Sequence, residues 1–344
     1  MNILSGAKLV LSKFSKEALS IGINRGLATA LSILKMSKNK QEKLYWLMKK
    51  DLEQADEINS PSPLWKILET QFLDIITIKG IENFKDEYIN RHFAAYAPNN
   101  RRIYESLIWQ YYQNIKTKDS LNLLENLEEP RIGGKGDIVL INGKRFTLDL
   151  LQSIDEFYCI FGDGFLDPKK KQIILEFGAG YGRLAYVILK ALPKTTYVIL
   201  DLPSSLLISQ YYLPKTLPGI SYSGYKDTRL MNPVSRKDLL KKRLWFFGGF
   251  KFPFFENGSV DVFVNIYSMQ EMKKNQIKCF LDLASKKACG RVYLKQHFVE
   301  ENPINSEKIL PEDYTLEKQW KVISMKTSGI YLHSFEKIFE KVSK

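Results

Sequence analysis

Cysteine is scarce in this chain of 344 residues, which has only Cys159, Cys279 and Cys289. The number is odd, and neither a CxxC pair nor a Cys/His ligand spacing is present. A disulfide framework and a zinc site are therefore not expected. We expect the chain to work in a reducing compartment, the cytoplasm.

Long apolar runs are absent from residues 1–40, because charged residues interrupt every run well before the roughly 20 residues that a spanning helix needs. No secretion signal is recognisable there either. The segment holds seven Lys or Arg and one acid, Glu17. This pattern favours a basic amphipathic helix. It either lies on an anionic surface at the inner face of the membrane or packs on the rest of the protein.

Acidic residues are outnumbered, since 51 Lys and Arg against 38 Asp and Glu give a net charge of +13. The lysines are spread along the whole chain, which is typical of a solvated surface. Nucleic acid is therefore not the expected partner, although an RNA substrate stays an alternative.

Internal repeats and low-complexity stretches are also absent. Residues 1–125 predict a helical N-terminal region, because large apolar residues recur there at three- and four-residue intervals from residue 41 onward. Residues 126–170 have two glycine turns, a short strand and an amphipathic helix, and they predict a connector over a ligand cleft. Residues 171–344 predict an α/β domain.

The most informative stretch is residues 173–201, IILEFGAGYGRLAYVILKALPKTTYVILD. Two short strands bracket a glycine-rich turn and an amphipathic helix. Gly178, Gly180 and Gly182 permit positive φ and close approach of a ligand to the backbone. Asp201 follows the second strand roughly 20 residues later, where an acid binds ribose hydroxyls. The stretch therefore predicts a nucleotide-type cofactor site.

Further strands are predicted along the rest of the chain, and a closing antiparallel hairpin is predicted from QWKVISM and GIYLHSF. The expected fold class is α/β: a Rossmann-like parallel sheet with a C-terminal antiparallel hairpin, plus the helical N-terminal region. Gly248, which follows the predicted strand RLWFF, is expected beside an adenine ring. The single strands are ISYSGY (220–225), RLWFFG (243–248), VDVFVNIY (260–267) and GRVYLKQHF (290–298).

The GxGxG spacing, with Glu176 before it and Arg183 in place of a third glycine, resembles motif I of class I S-adenosylmethionine (SAM) methyltransferases. EFGAGYGRLAYVIL, DLPSSLLISQYYL, a strand running into SMQEM and a late DYTLEKQW together resemble a bacterial family of sugar O-methyltransferases, over about residues 125–340. The resemblance implies SAM as methyl donor and a sugar or glycan hydroxyl as acceptor, in glycan biosynthesis. It also implies that Glu176 and the three glycines form the SAM loop, with Asp201 on the ribose. Leu202, the next residue, is also expected to bind the cofactor.

Polar side chains follow the strand VDVFVNIY at the carboxyl edge of the predicted sheet, where ligands of parallel sheets bind. We expect Asn265, Ser268 and Gln270 to bind the acceptor. A hydroxyl must lose its proton during methyl transfer, and histidine is the side chain whose ordinary pKa suits a base near neutral pH. Only His297 among the three histidines falls at the end of a parallel strand, so it is the predicted base, with Glu271 as its rival.

Asp149, Asp155 and Glu156, the acids of the connector, are third in line as bases. No acidic pair has a spacing that demands a metal ion, so none is expected. The [DN]PP[YF] motif of many nitrogen methyltransferases is absent after VDVFVNIY, and no cysteine lies there for attack on cytosine. An RNA 2′-O-methyltransferase and a non-catalytic interaction protein stay as alternatives.

Overall fold

The computed structural model describes residues 40–56, 60–61, 65–66, 69, 80–87, 100–162, 164–301, 307–330 and 333–342. The chain divides into two compact units, Met1–Leu47 and Met48–Lys344. Of the first unit only residues 40–47 are described, and they begin helix α1 (Lys40–Leu52). The basic amphipathic helix was predicted for residues 1–40. Residues 1–39 of it lie outside the part of the chain that the structure describes.

The region before the main sheet is mostly helical where it is described. Helix α3 (Arg101–Lys116) is capped by Asn100, whose Oδ1 accepts from the backbone N–H of Arg102 at 3.0 Å. Its buried face packs against α5, which is capped by Thr147. The helices are α2 (Phe84–Glu87), α3 (Arg101–Lys116), α4 (Leu123–Asn126) and α5 (Leu148–Phe161), with the hairpin β1 (Val139–Ile141) and β2 (Lys144–Phe146) before α5.

Among the residues that the structure describes, eight strands form one sheet in the order β11-β12-β8-β7-β3-β4-β6-β5. The neighbouring strands β8, β7, β3, β4, β6 and β5 run parallel to one another. Strand β12 runs antiparallel to both β8 and β11. This mostly parallel sheet with an antiparallel hairpin confirms the predicted α/β class. The strands are β3 (Gln172–Phe177), β4 (Thr195–Asp201), β5 (Tyr222–Ser223), β6 (Leu244–Gly248), β7 (Val260–Ile266), β8 (Ala288–His297), β11 (Trp320–Thr327) and β12 (Ser334–Lys341).

Helices cover both faces of the sheet, which explains why every residue of β3 and β4 is buried. On one face α10 packs on an apolar cluster that includes Leu175, Phe263 and Leu294. On the other face α5 and α6 (Arg183–Ala191) pack together, with Glu156 of α5 bonded to Lys295 of β8 and α6 packed against β4. The helices are α6 (Arg183–Ala191), α7 (Pro203–Thr216), α8 (Tyr225–Thr228), α9 (Arg236–Leu239) and α10 (Lys274–Lys287), and a small separate pair is β9 (Glu300–Glu301) with β10 (Lys308–Ile309). Over the stretches of chain described above, no helix has both the length and the apolar character to cross a bilayer.

The C-terminal hairpin differs in detail from its prediction. Its first strand is β11, as expected, but the second strand is Ser334–Lys341 rather than GIYLHSF (329–335). The sequence SFEKIFEK hides this strand, because Glu336 and Lys337 are charged yet buried. The predicted strand ISYSGY is also shorter, reduced to the two residues of β5 at the sheet edge.

Candidate functional site

The glycine loop lies between β3 and α6 and has a strongly constrained backbone. Gly178, Gly180 and Gly182 have φ values of 77°, 60° and 88°, which disfavour any residue with a side chain. A Cβ on Gly178 would lie 2.2 Å from the hydroxyl of Ser268, and one on Gly182 would lie 2.7 Å from Leu213. The loop therefore presents bare backbone at the carboxyl edge of the sheet.

Asp201 lies at the end of β4 and is joined to this loop. The backbone N–H of Gly180 donates to its Oδ2 at 2.8 Å, and the N–H of Leu202 donates to its Oδ1 at 2.7 Å. The carboxyl group is buried, and burial raises its pKa to about 7. Each oxygen keeps a further lone pair after these contacts. The two features that the sequence placed at a cofactor are thus brought together.

Two other predicted cofactor residues flank this contact. Gly248 is the last residue of β6 and is paired with Asp201 across the sheet, so it lies at the same edge. A Cβ there would lie 2.4 Å from the ring of Phe250. Glu176 lies inside β3, where the hydroxyl of Tyr197 donates to it at 2.7 Å and burial raises its pKa to about 7.

The residues predicted to bind the acceptor are tied to the end of β3. Asn265 is fully buried, and its Nδ2 donates to the carbonyl of Phe177 at 2.7 Å and to the hydroxyl of Ser268 at 2.5 Å. Its Oδ1 accepts from Nε2 of Gln296 at 2.6 Å. The Ser268 hydroxyl also donates to the Phe177 carbonyl, at 3.2 Å. Asn265 and Ser268 therefore join the segment after β7 to the glycine loop.

Gln270 and His297 form the next pair along this edge. The backbone N–H of His297 donates to Oε1 of Gln270 at 2.9 Å, and Nδ1 of the ring lies 3.2 Å from Nε2 of Gln270. The ring of Tyr267 lies 5.2 Å from the His297 ring, between centroids. Tyr267 has a φ of 56°, which is uncommon for a bulky residue and is typical of constrained functional sites.

Glu271, the rival base, contacts a residue that sequence reasoning did not single out. Its Oε2 accepts a hydrogen bond from the indole N–H of Trp65. Glu69, four residues after Trp65, accepts a hydrogen bond from the backbone N–H of Ser204 at the start of α7. Nothing in the sequence spacing identified these partners, because each pair is separated by more than a hundred residues.

The acids of α5 are engaged with the residues that follow the loop. Asp149 accepts from the hydroxyl of Tyr181 at 2.8 Å. Glu156 is fully buried and accepts from Arg183 at 2.6 Å and from Lys295 at 3.0 Å. Burial opposes its charge, but the two cations outweigh this effect and lower the pKa of Glu156. Glu156 is therefore an ionised partner of two cations, which does not suit a general base.

Asp155 belongs to a different cluster, with Cys159 and Glu336, whose ligand atoms lie within 4.8 Å of one another. Lys118 and Lys326 lie beside this cluster. Lys118 donates to Asp155 at 2.6 Å, and Nζ of Lys326 lies 3.5 Å from Glu336 and 3.8 Å from Cys159. Burial, together with the charges of Glu336 and Asp155, raises the pKa of the Cys159 thiol to about 12, so the thiolate that a metal requires is disfavoured.

No protein-family model matches the sequence, and no curated protein matches it. Among solved structures, one similar chain is the magnesium protoporphyrin IX methyltransferase of Synechocystis with bound SAM, at 12% identity and a TM-score of 0.39, covering 72% of this chain and 100% of that one. Another is an O-methyltransferase family 2 protein of Planctomyces limnophilus, at 13% identity and a TM-score of 0.36, covering 57% and 65%. At these values the likeness carries no argument about substrate or catalytic residues.

Proposed function

We propose that this chain is a SAM-dependent O-methyltransferase that acts on a hydroxyl group of a sugar or glycan. The observation that carries the proposal is the contact between Gly180 and Asp201, at 2.8 Å. It joins a positive-φ glycine loop after β3 to a buried acid after β4, at the edge where nucleotide cofactors bind parallel sheets. The free lone pairs of Asp201 suit two ribose hydroxyls, and the bare loop suits a closely held ligand.

When bound, SAM would supply the methyl group of its sulfonium to an acceptor oxygen that attacks in line with the carbon–sulfur bond, with S-adenosylhomocysteine as the leaving group. The chain's own residues have to hold the acceptor in that line and take its proton. Gln270 and Ser268 are proposed to contact the acceptor. Asn265 supports them through its bonds to the Phe177 carbonyl and to Gln296. His297 and Glu271 are the two proposed proton acceptors.

The sugar acceptor rests on the resemblance of residues 125–340 to sugar O-methyltransferases. An RNA 2′-O-methyltransferase is the second candidate, because the net charge of +13 favours contact with phosphates. Binding of RNA that weakens steeply with salt, together with methyl transfer to it, would support that candidate. Methyl transfer from labelled SAM to sugars or glycans, at rates that do not change in high salt, would support the sugar O-methyltransferase. A protein that binds SAM and methylates neither would be the non-catalytic alternative.

Cytoplasmic location and contact between residues 1–40 and an anionic membrane also belong to this proposal. Deletion of residues 1–36 separates the docking role from the chemistry. We expect the shortened protein to lose sedimentation with anionic vesicles and to keep its SAM affinity. A shortened protein that unfolds would place the segment in the folded core instead.

Calorimetry with SAM and S-adenosylhomocysteine tests the cofactor assignment. Wild type should bind both, and Gly180→Arg and Asp201→Ala should weaken binding strongly. Gly219→Arg is the matched control, because Gly219 also has a positive φ, 81°, and a Cβ there would have no neighbour within 4 Å. Unchanged binding by a folded Gly180→Arg protein would overturn the proposal.

A further inference from the structure

The side chain of Gln270 is oriented by a backbone group of His297. A backbone N–H can only donate a hydrogen bond, so the atom of Gln270 that faces it at 2.9 Å must be the oxygen Oε1. The NH₂ group of Gln270 is then the one that faces Nδ1 of the imidazole, at 3.2 Å. Because an NH₂ group offers only protons, Nδ1 must accept with its lone pair.

Backbone groups also orient the side-chain amides of Gln296 and Asn265, which connect Gln270 to the end of β3. The carbonyl of Phe177 can only accept, so Nδ2 of Asn265 faces it and Oδ1 of Asn265 points away. Nε2 of Gln296 donates to that Oδ1 at 2.6 Å, which leaves Oε1 of Gln296 for the backbone N–H of Gln270 at 3.3 Å. Every amide orientation in this series is therefore fixed by a backbone group, and none is a free choice.

Burial keeps this network from rearranging. Asn265 and Gln296 are fully buried, and Gln270 is 5% exposed. Flipping one amide would place two donors or two acceptors face to face without water to compensate. The neighbouring ring of Tyr267 and its constrained backbone limit the movement of His297.

We propose that Gln270 is a positioning residue that holds neutral His297 as the tautomer with its proton on Nε2. On the proposed function, His297 then donates an N–H to the acceptor and cannot take the acceptor's proton through that nitrogen. The proton is left to the carboxylate of Glu271, one residue after Gln270 in the chain. One series of hydrogen bonds thus connects the end of β3, at Phe177, to the imidazole of His297.

The test is nitrogen-15 NMR of the histidine side chains in the full chain, with the three histidines resolved by a His297→Gln variant. In wild type we expect neutral His297 to show a protonated Nε2 and an unprotonated Nδ1. Gln270→Glu replaces the NH₂ by an oxygen that can only accept, so the proton should move to Nδ1. Gln276→Glu makes the same charge change on α10 and should leave the tautomer as in wild type.

An unprotonated Nε2 of neutral His297 in wild type, or an unchanged tautomer in Gln270→Glu, would overturn the tautomer assignment. If Gln270→Glu does not fold, Gln270→Met removes the donor and should give a mixture of the two tautomers; a single Nε2–H form would count against the proposal. With a methylated acceptor in hand, Gln270→Glu should lower kcat/KM about 10-fold, the value of one lost hydrogen bond. These spectra need no cofactor, so calorimetry that shows no SAM binding would refute the proposed function and leave the tautomer result standing.

Discussion

Glu69 accepts a hydrogen bond from the backbone N–H of Ser204 at 2.9 Å, and the hydroxyl of Ser204 donates to the same oxygen. Ser204 lies in the first turn of α7, directly after the strand that ends in Asp201. Trp65, four residues before Glu69, contacts Glu271 after β7. Residues 65 and 69 therefore reach the ends of two strands on either side of β3, across the candidate cofactor edge.

Glu69→Ala should destabilise the protein, because it removes an acceptor from the N-terminal turn of α7. We expect a loss of about 1 kcal/mol in the free energy of unfolding, the usual value of an N-terminal cap. Denaturant titration measures this loss, with Glu53→Ala at an exposed position as control. If the two variants are equally stable, the contact of Glu69 with Ser204 contributes nothing to folding.

The affinity for S-adenosylhomocysteine should rise with pH up to about 7 and then level off. Burial holds the pKa of Asp201 at about 7 in the free protein, and ribose hydroxyls donate to the ionised form. Binding therefore releases a proton below that pH, and the affinity should fall by up to about tenfold per pH unit of acidification. Calorimetry between pH 5 and pH 9 measures the slope, which Asp201→Asn should abolish. A flat profile in wild type would contradict the role of Asp201.

The same shift affects stability with a defined sign. The pKa of Asp201 is raised above its ordinary value of 3.8, so the folded protein binds its proton more tightly than the unfolded chain does. The stabilisation is fully present below about pH 4 and is lost as pH rises through about 7. Bound ligand should therefore raise the melting temperature more at pH 8 than at pH 6.

Glu271→Gln should lower kcat by about 10²–10⁴-fold and remove the acidic limb of the pH–rate profile, as expected for loss of a general base. His297→Ala should lower kcat while the limb stays in place, because a donor to the acceptor is lost and the base is retained. Steady-state kinetics on a verified acceptor distinguish the two. Loss of the limb in His297→Ala alone would transfer the base to His297.

Lys295→Met should be strongly destabilising, because it removes a fully buried cation that lies 3.0 Å from Glu156 and 4.0 Å from Glu336. Breaking a buried pair by removing one partner typically costs about 3–5 kcal/mol. Denaturant titration should show this loss. Lys278→Met, which breaks an exposed pair with Asp282, should leave the midpoint nearly unchanged. Equal midpoints for the two variants would mean that the buried pair contributes little.

The sequence predicts the parallel strands and the glycine loop well, because apolar runs and glycines report local backbone requirements. It also predicts that Asp201 lies beside the loop, since an acid directly after the second parallel strand comes to the same sheet edge, and the contact with Gly180 has this geometry. The buried ion pairs could not be predicted, because Lys295 and Glu156 are 139 residues apart and no local sequence pattern pairs them. The contact between Trp65 and Glu271 depends in the same way on tertiary packing.

The strand β12 is made after every other strand of the main sheet, yet it lies between β8 and β11. During synthesis on the ribosome, β8 therefore has one open edge, and β11 has no partner within the sheet, until residues 334–341 emerge. Open strand edges are templates for pairing with other chains. The nascent protein is thus exposed to pairing at this edge until residues 334–341 emerge, and chaperone dependence should be sensitive to the rate at which β12 is delivered.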